Sequence, residues 1–174
     1  KDAEIAVIEM GANHQKEIES YCAYTQPTHG MITNCGKAHL EGFGGVEGVK
    51  KGKGELFDFL RANNGTVFLM EDFDYLVEMA HGIQDVIAYG KEQGQIQGEA
   101  IDQNGMLSVQ FKKGIDIASI QTHLVGNFNL PNVLAAVTIG QYFKVPNEKI
   151  KSAIEDYVPT NSRSQLLTWN NNEV

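Results

Sequence analysis

Thr66-Val67-Phe68-Leu69, a helical stretch from Asp74 to Ala80, and Asp85-Val86-Ile87-Ala88-Tyr89 decide the fold of this chain. Two short runs rich in β-branched and aromatic residues, separated by one helical segment, predict a strand, helix and strand that return to the same sheet. The pattern repeats toward the N-terminus. A helix is expected from Val49 to Arg61, preceded by a glycine-rich stretch (Gly36, Gly42, Gly44, Gly45, Gly48) and by a strand Gly30-Met31-Ile32-Thr33 that ends at Asn34. Before that come a helix from about His14 to Tyr24, a Gly11-Ala12-Asn13 turn and a buried strand Ile5-Ala6-Val7-Ile8 that ends at Glu9. Toward the C-terminus the period changes to two between Gly94 and Leu124. Asn104-Gly105 lies at its centre, the dipeptide of a type I′ hairpin. Helices follow from Asn132 to Phe143, after Pro131, and from Asn147 to Tyr157. The expected class is therefore α/β: a mainly parallel sheet flanked by helices in three layers, with an antiparallel hairpin appendage.

The 174 residues suffice for one domain with an ordinary core, and 42% of them are hydrophobic, which excludes a disordered chain. Against 14 Lys and Arg stand 22 Asp and Glu, a formal charge of −8. Such a surface argues against duplex nucleic acid or an anionic membrane as partner. It leaves phosphorylated ligands open, because backbone N–H groups and a few lysines can hold a phosphate. Cys22 and Cys35 are too few for a disulfide scaffold and lack metal-type spacing, so reduced thiols of a cytoplasmic protein are expected. No apolar run has the length of a membrane span. The chain opens at Lys1-Asp2 without an initiator methionine and passes at once into an apolar run, which suggests a piece of a longer protein.

In an open α/β sheet, ligands bind outside the carboxyl ends of the strands, which directs attention to Glu9, Asn34 and the loops after them. Glu9 ends an apolar strand, where a carboxylate needs a cation; an ion-paired or capping role is the plain alternative. His39 lies in a polar, glycine-rich connection and is open to metal ligation, to acid/base work or to simple solvation. Lys53 shares its helix with Lys50 and Lys51, and its spacing alone makes it one member of a solvated basic face. No Gly-x-x-x-x-Gly-Lys-[Ser/Thr] sequence occurs in the chain; the decoy Gly48-Val49-Lys50-Lys51-Gly52-Lys53-Gly54 has the wrong spacing and falls within a helix. A Gly-x-Ser-x-Gly elbow, His-Glu-x-x-His and a dinucleotide fingerprint are absent as well, which removes the usual hydrolase and dehydrogenase readings.

Four motifs gain meaning from their order: Glu9-Met10-Gly11-Ala12-Asn13-His14, Ile32-Thr33-Asn34 through Ala38-His39-Leu40-Glu41-Gly42-Phe43-Gly44, Lys53-Gly54-Glu55-Leu56, and Gly126-Asn127-Phe128-Asn129-Leu130-Pro131-Asn132. Together they resemble the central ATPase domain of the Mur ligase family, a P-loop-NTPase-like fold, in particular its D-alanyl-D-alanine-adding branch. The resemblance implies an ATP-dependent amide ligase of peptidoglycan precursor synthesis, and so a place in cell wall biogenesis, cell shape and division. Its implied substrates are UDP-N-acetylmuramoyl-tripeptide and D-Ala-D-Ala, joined through an acyl phosphate, with ATP and Mg²⁺ as cofactors. It implies Glu9 and His39 as ligands of two Mg²⁺ ions, and Lys53, carbamylated, as a further metal-site and catalytic residue beside His39. It also implies Asn129 and Asn132 as readers of the adenine edge, Arg163 as a phosphate contact, and Asn13 with His14 on the muramoyl-peptide side. Helix capping is the alternative for Asn129, and simple solvation for Arg163. On this reading Glu9, His39 and Lys53 should converge on one small volume at the mouth of the sheet.

The sequence also departs from the resembled pattern. Phe128 stands where many relatives have His, which offers a stacking surface. Lys16 replaces a common glycine, and Met70 precedes Glu71-Asp72 where Asn is frequent. Residues 1–160 are expected to form a partial middle domain without its P-loop, and residues 161–174 a linker toward a C-terminal domain. The isolated chain is expected to be inactive as a ligase. A cyanophycin or folylpolyglutamate type of ligase, or a non-catalytic binding module of the same fold, are the competing readings.

Overall fold

The computed structural model describes residues 2–36, 40–103 and 105–159, and the backbone of 168–169 and 172–173; for residues 40, 41, 102 and 103 too only the backbone is described. In chain order the elements are α1 (Glu17–Thr25), β1 (His29–Met31), α2 (Leu40–Phe43), α3 (Val46–Ala62), β2 (Thr66–Met70), α4 (Asp74–Met79), β3 (Asp85–Gly90), β4 (Ile96–Gln103), β5 (Met106–Lys113), β6 (Ser119–Val125), a single 3-10 turn (Asn127–Asn129), α5 (Leu130–Tyr142), α6 (Asn147–Glu155), and the two-residue strands β7 (Thr168–Trp169) and β8 (Asn172–Glu173). Six strands form one mixed sheet in the order β1-β2-β3-β4-β5-β6. β3 and β4 run parallel through Tyr89↔Ile96 and Gly90↔Gln97, whereas β4·β5 and β5·β6 are antiparallel. The hairpin expected around Asn104-Gly105 is therefore present and continues the sheet, with β6 as its third strand. Gly105 has φ +80°, as the turn requires.

Contacts divide the chain into two compact units, Lys1–Val67 with Glu78–Val86, and Phe68–Val77 with Ile87–Val174. In the first, α3 is the organising element. It buries Val49, Phe57 and Leu60 along one side and packs against α1, α2 and β1. The glycines of the P-loop decoy serve this packing: a Cβ at Gly48 would overlap the Phe43 carbonyl, and one at Gly52 the Phe43 ring. The decoy is helix, so from Val49 onward its amides are committed to helical hydrogen bonds and do not form a phosphate-cradling loop. At the end of α3, Arg61 donates to the carbonyls of Met79 (2.6 Å) and His81 (3.0 Å), which fixes the turn after α4.

In the second unit α5 is apolar on most sides and buries Leu130, Val133, Leu134, Ala135 and Val137; it packs on β4 and β5 and against α6. Pro131 opens it, where a missing N–H costs nothing. Polar groups in this core are satisfied: Thr122 donates to the Leu107 carbonyl at 2.7 Å, Thr138 to that of Leu134 at 2.7 Å and Ser108 to that of Ile120 at 3.3 Å. Glu155 of α6 accepts the Gln121 N–H of the edge strand β6 at 3.1 Å, covering an edge donor.

Two expectations are corrected. Ile5-Ala6-Val7-Ile8 is not a strand: the run has no regular structure, and Val7 is 93% exposed. An apolar run becomes a strand only when a neighbour accepts its backbone donors, and among the described strands none pairs with it. The helix expected from His14 begins at Glu17, because residues 13–16 form a turn held by side-chain carboxylates.

Candidate functional site

Residues 33–36 leave β1 as an irregular loop, and this loop meets α3 at one point. The Lys53 amine donates to the Asn34 carbonyl at 2.5 Å. Lys53 is half-buried, unlike its exposed neighbour Lys51, and Lys50 is paired with Glu47 at 2.9 Å. The basic face expected from spacing is thus three lysines with different surroundings, of which Lys53 donates to the strand-exit loop. Cys35 lies beside it. Burial raises the Cys35 thiol above its ordinary value, while the positive charges of Lys53 and Lys50 act in the opposite direction.

Glu9 lies on the exposed stretch before α1 and lines an open cavity of about 250 Å³ with Ile8, Met10, Gly11, Tyr21, Tyr24 and Thr25. Glu9 is an exposed residue. His39 and Arg163 lie outside the described residues. The described part of the expected trio is therefore Glu9 and Lys53, both in the first unit.

Asn13 and His14 are exposed on a turn whose backbone is fixed by two carboxylates that sequence reasoning did not single out. Glu17, the first residue of α1, accepts the N–H of Asn13 at 2.7 Å and that of His14 at 3.1 Å. Hydrogen bonds from Asn13 and His14 hold the Glu17 carboxyl below the usual glutamate range. Glu55, on α3, accepts the N–H of Lys16 at 2.6 Å and that of Glu19 at 3.0 Å. Lys16 has φ +76°, a left-handed conformation that glycine adopts freely. This explains the glycine of the resembled family at that position.

In the second unit Asn129 is buried and donates to the Val125 carbonyl at 2.9 Å, and Asn132 donates to the Asn129 side-chain oxygen at 3.3 Å. Asn129 stands at the N-cap position of α5, and its side chain turns to the Val125 carbonyl. The pair is instead an ordered amide relay whose outer member, Asn132, is exposed. Phe128 beside it is 73% exposed, a free aromatic face.

Residues 1–140 match the family described as Mur ligase middle domain. The chain is 31% identical over 153 residues to the UDP-N-acetylmuramoyl-tripeptide–D-alanyl-D-alanine ligase of Haemophilus influenzae, covering 86% of this chain and 33% of that protein. It superposes on the crystal structure of MurF from Acinetobacter baumannii with TM-score 0.82 at 23% identity, over 94% of this chain and 36% of that one. With MurF from Thermotoga maritima in complex with ADP the TM-score is 0.77 at 18% identity, over 91% and 37% of the two chains. The chain spans about a third of the length of these proteins.

Proposed function

The chain belongs to the Mur ligase family through that family's middle domain, and from this we propose that the protein carrying it is an ATP-dependent ligase that joins D-Ala-D-Ala to UDP-N-acetylmuramoyl-tripeptide. The observation that carries the reading is the half-buried Lys53 amine held on the Asn34 carbonyl, which joins two of the four ordered motifs in one place. In the proposed reaction a substrate carboxylate attacks the ATP γ-phosphorus and ADP leaves. The amine of D-Ala-D-Ala then attacks the acyl phosphate carbon, phosphate leaves, and the nitrogen loses a proton. Both steps bring anions together, so the site must supply fixed positive charge.

Mg²⁺ would be held by Glu9, by His39 and by carbamylated Lys53, and when bound it neutralises phosphate charge. Glu9 supplies an exposed carboxylate and carbamylation of Lys53 would add a second oxygen donor, and Mg²⁺ takes one or two carboxylates and fills its remaining positions with water and phosphate oxygens. As an ammonium, Lys53 has no lone pair to give. Carbamylation forms a bond from the neutral amine to CO₂ carbon with loss of a proton, and the product keeps one N–H that the Asn34 carbonyl can still accept. Asn129 and Asn132 would read the adenine edge, with Phe128 as a stacking face and Arg163 on phosphate; the ADP bound by the T. maritima protein supports a nucleotide here. Asn13 and His14 would face the muramoyl-peptide. Residues 1–160 then form part of the middle domain and 161–174 lead to a C-terminal domain.

The test uses the protein that carries this chain, with ATP, Mg²⁺, UDP-N-acetylmuramoyl-tripeptide and D-Ala-D-Ala. Phosphate release that needs both substrates, with a product heavier by one D-Ala-D-Ala residue unit, is expected. Transfer of a different acceptor, such as glutamate, overturns the branch, and nucleotide binding without turnover overturns the enzyme reading in favour of a binding module. The 174 residues alone contain no P-loop sequence and are expected to show no ligation.

A further inference from the structure

We propose that Glu17 is a positioning residue that holds the Asn13-His14 turn in its substrate-facing shape, with Glu55 as its counterpart on α3. Residues 11–16 carry no regular hydrogen-bond ladder, so their shape is set by whatever receives their N–H groups. Here those groups converge on two carboxylates. Glu17 Oε2 takes the N–H of Asn13 and of His14, and the two oxygens of Glu55 divide the N–H groups of Lys16 and Glu19. The first carboxylate fixes the turn to the start of α1, and the second fixes that start to α3, the helix that also carries Lys53. A carboxylate that accepts two N–H groups is a stronger anchor than an amide in the same place. Without Glu17 the Asn13 and His14 N–H groups lose their common acceptor, and the chain can relax through the turn that leads to the left-handed Lys16.

The groups facing Glu17 are the His14 ring, with Nδ1 at 3.6 Å from Oε1, and the backbone donors named above; the nearby Lys16 ammonium is engaged by Glu19 at 2.6 Å. Glu17 thus acts on the turn through its backbone, leaving the Asn13 amide free to meet a ligand. The functional part of this inference rests on Asn13 and His14 contacting the muramoyl-peptide, whereas the clamp itself does not.

Two readouts on the full protein separate them. In ¹⁵N-labelled protein the Asn13 and His14 amide resonances should follow one carboxyl titration, and Glu17→Gln should abolish it while amides of β2 and α5 stay unchanged. In ligation assays Glu17→Ala should raise KM for the UDP-linked peptide about tenfold with KM for ATP within about twofold, and Glu17→Gln, which keeps an acceptor at the same reach, should recover most of the loss. Amides indifferent to Glu17 overturn the clamp whatever the activity. A normal titration with an unchanged KM for the peptide substrate in Glu17→Ala overturns the positioning role. A normal titration in a protein that does not ligate this substrate at all overturns the proposed function and leaves the clamp standing.

Discussion

The Lys53 amine and the Asn34 backbone carbonyl lie 2.5 Å apart, although they are 19 positions apart in the chain. This one contact ties the loop leaving β1 to the second turn of α3. It sets Lys53 apart from exposed Lys51 and from Lys50, which pairs with Glu47, and it places the amine where a modification can be held by a fixed acceptor.

Replacement of Lys53 tests that placement. Lys53→Ala is expected to lower kcat of the ligase on the order of 10²-fold or more, since in the proposed reaction it removes a group that would serve the developing charge. ¹³C NMR after equilibration with ¹³C-bicarbonate should show a carbamate resonance in the native protein and none in Lys53→Ala. Unchanged turnover in the variant would remove Lys53 from the site.

Gly42 offers a steric test of the turn. A Cβ there would overlap the carbonyl oxygen of Asn13, which belongs to backbone and cannot swing away. Gly42→Ala should destabilise the protein by about 1–3 kcal/mol, read by urea unfolding, and should weaken the peptide substrate more than ATP.

The pH dependence of stability follows from Glu17. Its carboxyl is held below the ordinary range by the Asn13 and His14 N–H groups, so it contributes stability that is fully present above the ordinary glutamate range. That contribution is lost as pH falls through the depressed value. Thermal unfolding of native protein and Glu17→Gln should therefore differ most near neutrality and converge in acid, and a difference that grows on acidification would contradict the clamp.

Core packing of the second unit is tested at Leu134, which is fully buried on α5. Leu134→Ala should cost about 2–5 kcal/mol by denaturant unfolding, since the surrounding side chains relax only partly around the space left.

Tyr89 is buried in β3, and burial pushes its phenol well above the ordinary tyrosine range. Absorbance titration at 295 nm should show this phenol ionising only as the protein unfolds in alkali. Tyr89→Phe should reduce that late amplitude by one tyrosine.

The elements of the sheet and the long helices were legible in the sequence because each is specified locally. Val67–Met70 is apolar throughout, α3 has a helical stripe, and Asn104-Gly105 marks a turn. Local pattern also misled at Ile5–Ile8, since strand formation depends on a pairing partner that no run of residues contains within itself. Motif order identified the family and named Glu9, Lys53, Asn129 and Asn132, but spacing alone left Lys53 a surface lysine and left Asn129 open between helix capping and nucleotide reading. The folded chain distinguished them, because the half-burial of Lys53 against Asn34 and the Asn132–Asn129–Val125 relay are contacts between separate parts of the backbone. Glu17 and Glu55 went unnoticed for the same reason. Their charge was readable from the first, whereas the backbone donors that converge on each exist only where the turn before α1 is folded against α3.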